Sequence, residues 1–383
     1  MISLIYFDNA ASTPVAPEVE KAMQAYFQDK FGNASSQHPK GQEAKDALYK
    51  ARKIIAKSIG ANAKEIYFTS GGTESNNWAI KGLFWQNQKE KTGKNHIITT
   101  KVEHDCVINT CKWLETQGAE VTYLDVDSEG FISLEDLENA ITDKTIVVSV
   151  IHGNNEIGTI NNIDAIGKLC REKQVLFHTD ACQSYTKTDV NVKYLDLVTL
   201  NSHKIHGPKG VGALYIKEEI EIQPLMHGGG HERNFRSGTE NISGIVGFAE
   251  ATKVIDKKSR IKMTELRDKL IQGIMKIENV KLNGATGEQR LCNNINVSFN
   301  NIEGESIGGY LQQKGICTST GSACMAHSLD PSHVLMALGI GEVGANSSLR
   351  ITISKYTTDD EVNYFLEVLP SIVKKLRALS PLS

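Results

Sequence analysis

The run Asn201-Ser202-His203-Lys204-Ile205-His206-Gly207-Pro208-Lys209-Gly210 sets a lysine just after a β-rich stretch and before a Gly-Pro turn. A side chain there faces a pocket at a strand end. A lysine amine condenses with a carbonyl only when neutral, and burial lowers its pKa towards that state. Val175-Leu176-Phe177-His178-Thr179-Asp180 brings a carboxylate to the same edge. An acid beside a heteroaromatic ring nitrogen keeps that nitrogen protonated, and Gln183 is within reach of a phenolic oxygen on the same ring. Such a charge-assisted hydrogen bond contributes about 1.5–3 kcal/mol. Thr69-Ser70-Gly71-Gly72-Thr73-Glu74 reads as a strand end, a glycine pair and a helix start, whose free N–H groups and Thr73 hydroxyl suit a phosphate. His104 follows another predicted strand and is placed to stack on a ring and move protons.

Two further residues extend the pattern. Cys324 sits in the small-residue run Ser319-Thr320-Gly321-Ser322-Ala323-Cys324, unlike a packed core thiol. A thiol of pKa about 8.5 is only about 3 % thiolate at pH 7, so a site must activate it. Arg350, in Ser347-Ser348-Leu349-Arg350, offers a planar fork for a carboxylate. Taken singly, each residue has a plainer reading: a surface lysine, a solvated acid, a helix capped by Ser70 or Thr73, a satisfied histidine. Their joint placement at strand ends is what makes them specific.

The elements that must position them follow from hydrophobic patterning. Short β-rich runs at 65–69, 96–100, 121–124, 145–150, 175–179, 195–200 and 212–216 alternate with helical patterns. Such alternation predicts an α/β fold with a mostly parallel seven-stranded sheet covered by helices, with ligands at the carboxyl ends of the strands. One helix is predicted from about Ala249 to Ile277. A smaller α+β unit follows: a strand at 295–299, a helix at 303–314, a short helix at 331–338, a strand at 348–354 and a helix at 359–379. The division expected is a large unit over 15–255 and a small one built from 1–14 and 256–383.

Bulk properties set the context. Hydrophobic residues at 40 % and charged residues at 23 % are ordinary for a soluble globular chain, and a net charge of −3 gives no reason to expect nucleic acid or a membrane as partner. No apolar run reaches the ~18 residues of a membrane span, and the N-terminus lacks the pattern of a signal peptide, so a cytoplasmic protein is expected. Seven cysteines, an odd number in a long chain, argue against a disulfide framework.

The chain resembles the group I cysteine desulfurases of the class V aminotransferase superfamily, along essentially its whole length. The matching pieces occur in order: Tyr6-Phe7-Asp8-Asn9-Ala10-Ala11, Phe31-Gly32-Asn33-Ala34-Ser35-Ser36 with His38, the Thr69–Asn77 turn and Glu103-His104. Asn154-Asn155-Glu156-Ile157-Gly158, His178-Thr179-Asp180, His203-Lys204 and Gly207-Pro208-Lys209-Gly210 continue the series. His227-Gly228-Gly229-Gly230-His231-Glu232, Arg236-Ser237-Gly238-Thr239 and the Cys324 segment complete it.

The resemblance implies a fold-type I pyridoxal-phosphate enzyme, active as a homodimer, that converts L-cysteine to L-alanine. It assigns the cofactor's Schiff base to Lys204, the ring nitrogen to Asp180, ring stacking to His104, and ring contacts to Asn155 and Gln183. Gly72, Thr73, Asn201 and His203 would hold the phosphate, with Thr239 from the second subunit. Arg350 and Asn155 would bind the substrate carboxylate, and Cys324 would carry the sulfur as a persulfide. Acceptors would be an iron–sulfur scaffold protein and sulfur carriers. No intrinsic metal site is implied; any cluster at Cys324 would be one shared with such a scaffold. Two departures stand out: Asn201, where the family commonly has serine, and Cys182, commonly threonine or valine.

Rival readings are a selenocysteine lyase or aminotransferase on the same fold, and a non-enzymatic iron–sulfur protein. An aminotransferase has no use for the thiol of Cys324. The pairs Cys106/Cys111 and Cys317/Cys324 lack the C-x-x-C spacing of a metal site.

Overall fold

Apolar and hydroxylated runs four or five residues long, bounded by turn residues, become strands that are largely buried, the edge strand at 120–124 excepted, in the computed structural model, which describes residues 4–321 and 330–380. A short strand β1 (Ile5–Tyr6) comes first. The main sheet then takes β2 (Ile66–Thr69), β3 (His96–Thr100), β4 (Glu120–Leu124), β5 (Thr145–Ser149), β6 (Leu176–Asp180), β7 (Leu197–Asn201) and β8 (Gly212–Ile216). Their order is β2-β8-β7-β6-β5-β3-β4. All neighbours are parallel except β8, which runs antiparallel to both β2 and β7. The expected seven-stranded, mostly parallel sheet is present.

The helices are α1 (Pro17–Gln24), α2 (Pro39–Ser58), α3 (Gly72–Glu90), α4 (Asp105–Glu115), α5 (Leu134–Ala140), α6 (Ile163–Glu172), α7 (Ile242–Ala251) and α8 (Lys257–Ile274). The single helix expected over 249–277 is therefore two helices. The Asp256 side chain accepts from the N–H of Ser259 at 2.8 Å and caps a new helix, while Val254 and Ile255 are buried in the link. A strong N-cap outcompetes continuation of the preceding turn.

Beyond α8 lie β9 (Val280–Leu282), β10 (Asn294–Phe299), α9 (Gly304–Gln313), β11 (Ile316–Cys317), α10 (His333–Ala337), α11 (Gly341–Asn346), β12 (Ser348–Thr352) and α12 (Asp359–Leu379). The antiparallel sheet β12-β10-β9 packs under α8 and α9, and α12 lies against those two helices. The N-terminal strand crosses to this part of the chain: β1 pairs in parallel with β11, and Asn9 Nδ2 donates to the Thr352 carbonyl at 2.8 Å.

Because β2 is parallel to β7, the carboxyl ends of β2, β3, β5, β6 and β7 open on one edge of the main sheet. The segments holding Gly72, His104, Asn155, Asp180 and Lys204 follow those five ends in turn.

Candidate active site

A cavity of about 370 Å³ opens at that edge, within the range of small-molecule sites. Gly72, Thr73, His104, Asn155, Asp180 and Gln183 line it, as do Asn201, His203, Lys204 and Arg350. Thr239 is exposed and does not line this cavity of its own chain. Cys324 lies outside the described residues.

Asp180 ends β6 and is only 4 % exposed. Its Oδ1 accepts from the N–H of Cys182 at 2.8 Å and its Oδ2 from Asn76 Nδ2 at 2.6 Å. Two donors hold the carboxylate in one orientation, a clamp that the sequence motifs did not reveal. The signal was present: Asn76 stands four residues after Gly72 on α3, so one helical turn brings it over the same strand ends.

Lys204 follows β7 and reaches across to the N-terminal segment. Its Nζ donates to the carbonyl of Ala11 at 2.8 Å and also to that of Ala10. Gln183 Nε2 donates to the same Ala10 carbonyl at 2.9 Å, and its Oε1 lies 3.3 Å from Lys187 Nζ. The carbonyls that hold Lys204 come from residues nearly two hundred positions earlier, and carbonyls carry no side-chain identity to read.

The anion side of the cavity is formed by the start of α3. No side chain caps this helix, so the plainer reading of Ser70 or Thr73 as a cap is excluded. Gly72 is required by close approach: a Cβ there would meet Cys182 Sγ at 2.5 Å and Asn201 Nδ2 at 3.5 Å. Cys182, given no role from sequence, thus shapes the floor of the cavity. Asn201 Oδ1 accepts from the N–H of His203 at 3.2 Å. Burial, followed by the charges of Lys204, Lys209 and Lys187, pushes the His203 imidazole down to about 4. It is neutral near pH 7.

His104 is the N-cap of α4. Its Nδ1 accepts from the backbone N–H of Cys106 at 3.1 Å, so in the neutral ring the proton is carried on Nε2. Cys106 Sγ lies 3.1 Å from both this Nδ1 and Asn76 Nδ2, linking the imidazole to the Asp180 clamp. Glu103, beside it, is fully buried, accepting from Thr100 Oγ1 and the N–H of Ile151 through Oε1 alone. Burial is the main cause that pushes its carboxyl up to about 8.

Arg350 projects from the centre of β12 and is 3 % exposed. Its Nη2 pairs with Asp8 Oδ1 at 3.1 Å and its Nη1 donates to the Asn155 carbonyl at 3.1 Å, whereas Nε has no protein partner. The guanidinium is thus oriented from both sides of the cavity. Its backbone exchanges hydrogen bonds with Ser319, tying the chain just before Cys324 to β12. Asn155 Oδ1 and Asn76 Oδ1 are buried with no protein partner, polar atoms that a ligand can satisfy.

Comparison with known proteins agrees with this geometry. The family model for aminotransferase class-V matches residues 5–365. A cysteine desulfurase IscS of Methanosarcina thermophila is 50 % identical, covering 99 % of this chain and 94 % of that protein. The cysteine desulfurase IscS of Clostridium botulinum (strain Hall) is 48 % identical, covering 99 % and 96 %. Among solved structures, a NifS-like protein superposes with a TM-score of 0.90 at 38 % identity, over 97 % of this chain and all of that one. A structure described as SspA in complex with cysteine gives 0.82 at 39 % identity, over 92 % of this chain and 100 % of that one. The chain belongs to the class-V aminotransferase family, whose members use pyridoxal phosphate. Within it, these full-length relatives are cysteine desulfurases of the IscS type.

Proposed function

We propose that the protein is a pyridoxal-phosphate-dependent cysteine desulfurase, converting L-cysteine to L-alanine and passing the sulfur on from Cys324. The observation that carries this reading is the convergence of the Lys204 amine, the clamped Asp180 carboxylate and the uncapped start of α3 on one cavity. The donor set fits the cofactor: an amine for its aldehyde, a carboxylate for its ring nitrogen, and free N–H groups with Thr73, Asn201 and His203 for its phosphate. Asn155, Gln183 and His104 would contact the ring. Bound there, pyridoxal phosphate supplies an electron sink for the pair left at the substrate's α-carbon.

The chain's own residues supply the rest. Arg350 grips the substrate carboxylate, giving up part of its hold on Asp8, while Asn155 accepts or donates beside it. Lys204, which would hold the cofactor's aldehyde, would also remove and return a proton at the substrate's α-carbon. His104, with its proton on Nε2, exchanges a proton with the substrate thiol. The Cys324 thiolate then attacks the substrate sulfur. A new S–S bond forms, the C–S bond breaks with its electron pair staying on carbon, and protonation of that carbon completes alanine. The persulfide passes to acceptor thiols, for which an iron–sulfur scaffold protein and sulfur carriers are the partners proposed. A cytoplasmic homodimer, with Thr239 completing the phosphate site of the second subunit, is the assembly proposed. The division into a unit of 15–255 and one of 1–14 with 256–383 is supported by the pairing of β1 with β11.

The experiment is mass spectrometry after incubation with cysteine, locating one added sulfur atom on Cys324. The Cys324→Ser variant is expected to keep its cofactor absorption and lose that mass. Sulfide release at the parental rate from this variant refutes the assigned acceptor. A purified protein with a bound metal and no cofactor absorption would favour the non-enzymatic reading.

A further inference from the structure

Lys187 is a lysine that the reaction above leaves unused, although it lies directly behind the site. It is 4 % exposed, and burial pushes its amine down to about 8. Its Nζ donates to Gln183 Oε1 at 3.3 Å, and Gln183, itself 5 % exposed, donates through Nε2 to the Ala10 carbonyl. Lys204 Nζ donates to that same carbonyl. Two lysines therefore sit at the ends of one short relay, Lys187–Gln183–Ala10–Lys204. The turn from Ala181 to Lys187 makes this possible, with the N–H of Tyr185 on Ala181 and that of Lys187 on Ser184 at 2.9 Å each. Cys292, donating its Sγ proton to the Lys187 carbonyl at 3.7 Å, fastens the turn to the segment before β10.

We propose that Lys187 is a positioning residue of this site, which orients the amide of Gln183 and places a positive charge behind the amine of Lys204. The inference rests on the reading of the cavity as a cofactor site. An amide flips readily between its two nearly isosteric ends unless a donor or acceptor fixes one of them. An ammonium at Oε1 fixes this one, which turns Nε2 towards Ala10 and the cavity. A cation nearby also disfavours a second positive charge, so Lys187 lowers the proton affinity of the nitrogen at Lys204. The other titratable groups acting on Lys187 are Cys292 from the segment before β10 and Cys182 on its own turn, with His203 and His206 facing it from beyond β7. None of them is a carboxylate, and Lys187 makes no ion pair among the described residues. Its charge is left to act on the site.

The test is a pH titration of the visible absorption of the purified holoenzyme, which follows the protonation of the nitrogen joined to the cofactor. In Lys187→Met and Lys187→Gln the midpoint should rise by about one pH unit, the scale of a single neighbouring charge. Lys187→Arg, which keeps the charge, should stay within about 0.3 unit of the parent. A parental midpoint in either neutral variant overturns the inference. Failure of both neutral variants to give soluble, cofactor-loaded protein also overturns it, since Lys187 would then be a structural residue. Absence of any cofactor absorption in the parent would instead refute the reading of the cavity itself.

Discussion

Glu103 puts both of its hydrogen bonds on Oε1 and leaves Oε2 buried with no protein partner. A carboxyl so placed is more stable protonated, and burial lifts it to about 8 from an ordinary value of 4.5. The native state then holds a proton that the unfolded chain releases above pH ~4.5. The stabilisation is complete below that pH and is lost as pH rises through about 8. Glu103→Gln keeps the acceptor Oε1 and removes the titration. Its urea midpoint is therefore expected to be flatter than the parent's between pH 5 and 8.5. A second prediction concerns the chemistry. Lys204→Ala should lower alanine formation by at least about 10³-fold, because it removes both the cofactor's attachment and the proton carrier. Asp180→Ala should also lower it, by about 10²-fold or more, while leaving Asn76 Nδ2 with Cys106 Sγ alone. Alanine release with saturating cysteine and added cofactor measures both.

At the scale of elements, the turn at 231–234 is held in an unfavourable backbone by a buried ion pair. Glu232, Arg233 and Asn234 have φ of +44°, +60° and +70°, each costing roughly 1–2 kcal/mol for a residue with a Cβ. Glu232 receives both Arg52 guanidinium nitrogens at 2.6 Å and the N–H of Phe68 at 2.9 Å, so α2, β2 and the turn meet at one carboxylate. Arg52→Met strands that buried charge and is expected to cost about 3–5 kcal/mol in urea denaturation. Arg52→Lys, which keeps the charge but loses the fork, should fall between the two. The turn leads directly into Arg236, which pairs with Glu74 on the first turn of α3 at 2.8 Å. Its stability therefore bears on the segment that carries Thr239.

Across the whole molecule, Arg350 joins three parts of the chain: the N-terminal segment through Asp8, the loop after β5 through the Asn155 carbonyl, and β12 on which it sits. Arg350→Ala should raise KM for cysteine by about 10- to 100-fold with the cofactor spectrum unchanged, the loss expected of a charged, bidentate contact. Steady-state kinetics beside an absorption spectrum separate that outcome from misfolding. If Thr239 serves a second subunit, the protein should sediment at twice the 42.1 kDa of one chain.

Local pattern was enough to locate the seven strands of the main sheet and to single out the Gly72-Thr73 turn, His104, Asp180, Gln183, Lys204 and Arg350, because burial on both faces writes continuous apolar runs and strand ends are where polar residues reappear; Asn155, Asn201 and His203 came from the family resemblance. It was not enough to break the helix at 252–256, where one capping aspartate decided the matter. Nor did it reveal that Asn76 clamps Asp180, that Ala10 and Ala11 receive Lys204, or that Lys187 stands behind Gln183. Those contacts depend on which segments are brought together, sometimes from nearly two hundred residues apart. A backbone carbonyl or an amide has no sequence signature until folding supplies its partner. The amino-acid sequence by itself determined the inventory of reactive groups and the strands that carry them; the tertiary structure decided which are held, by what, and in which orientation.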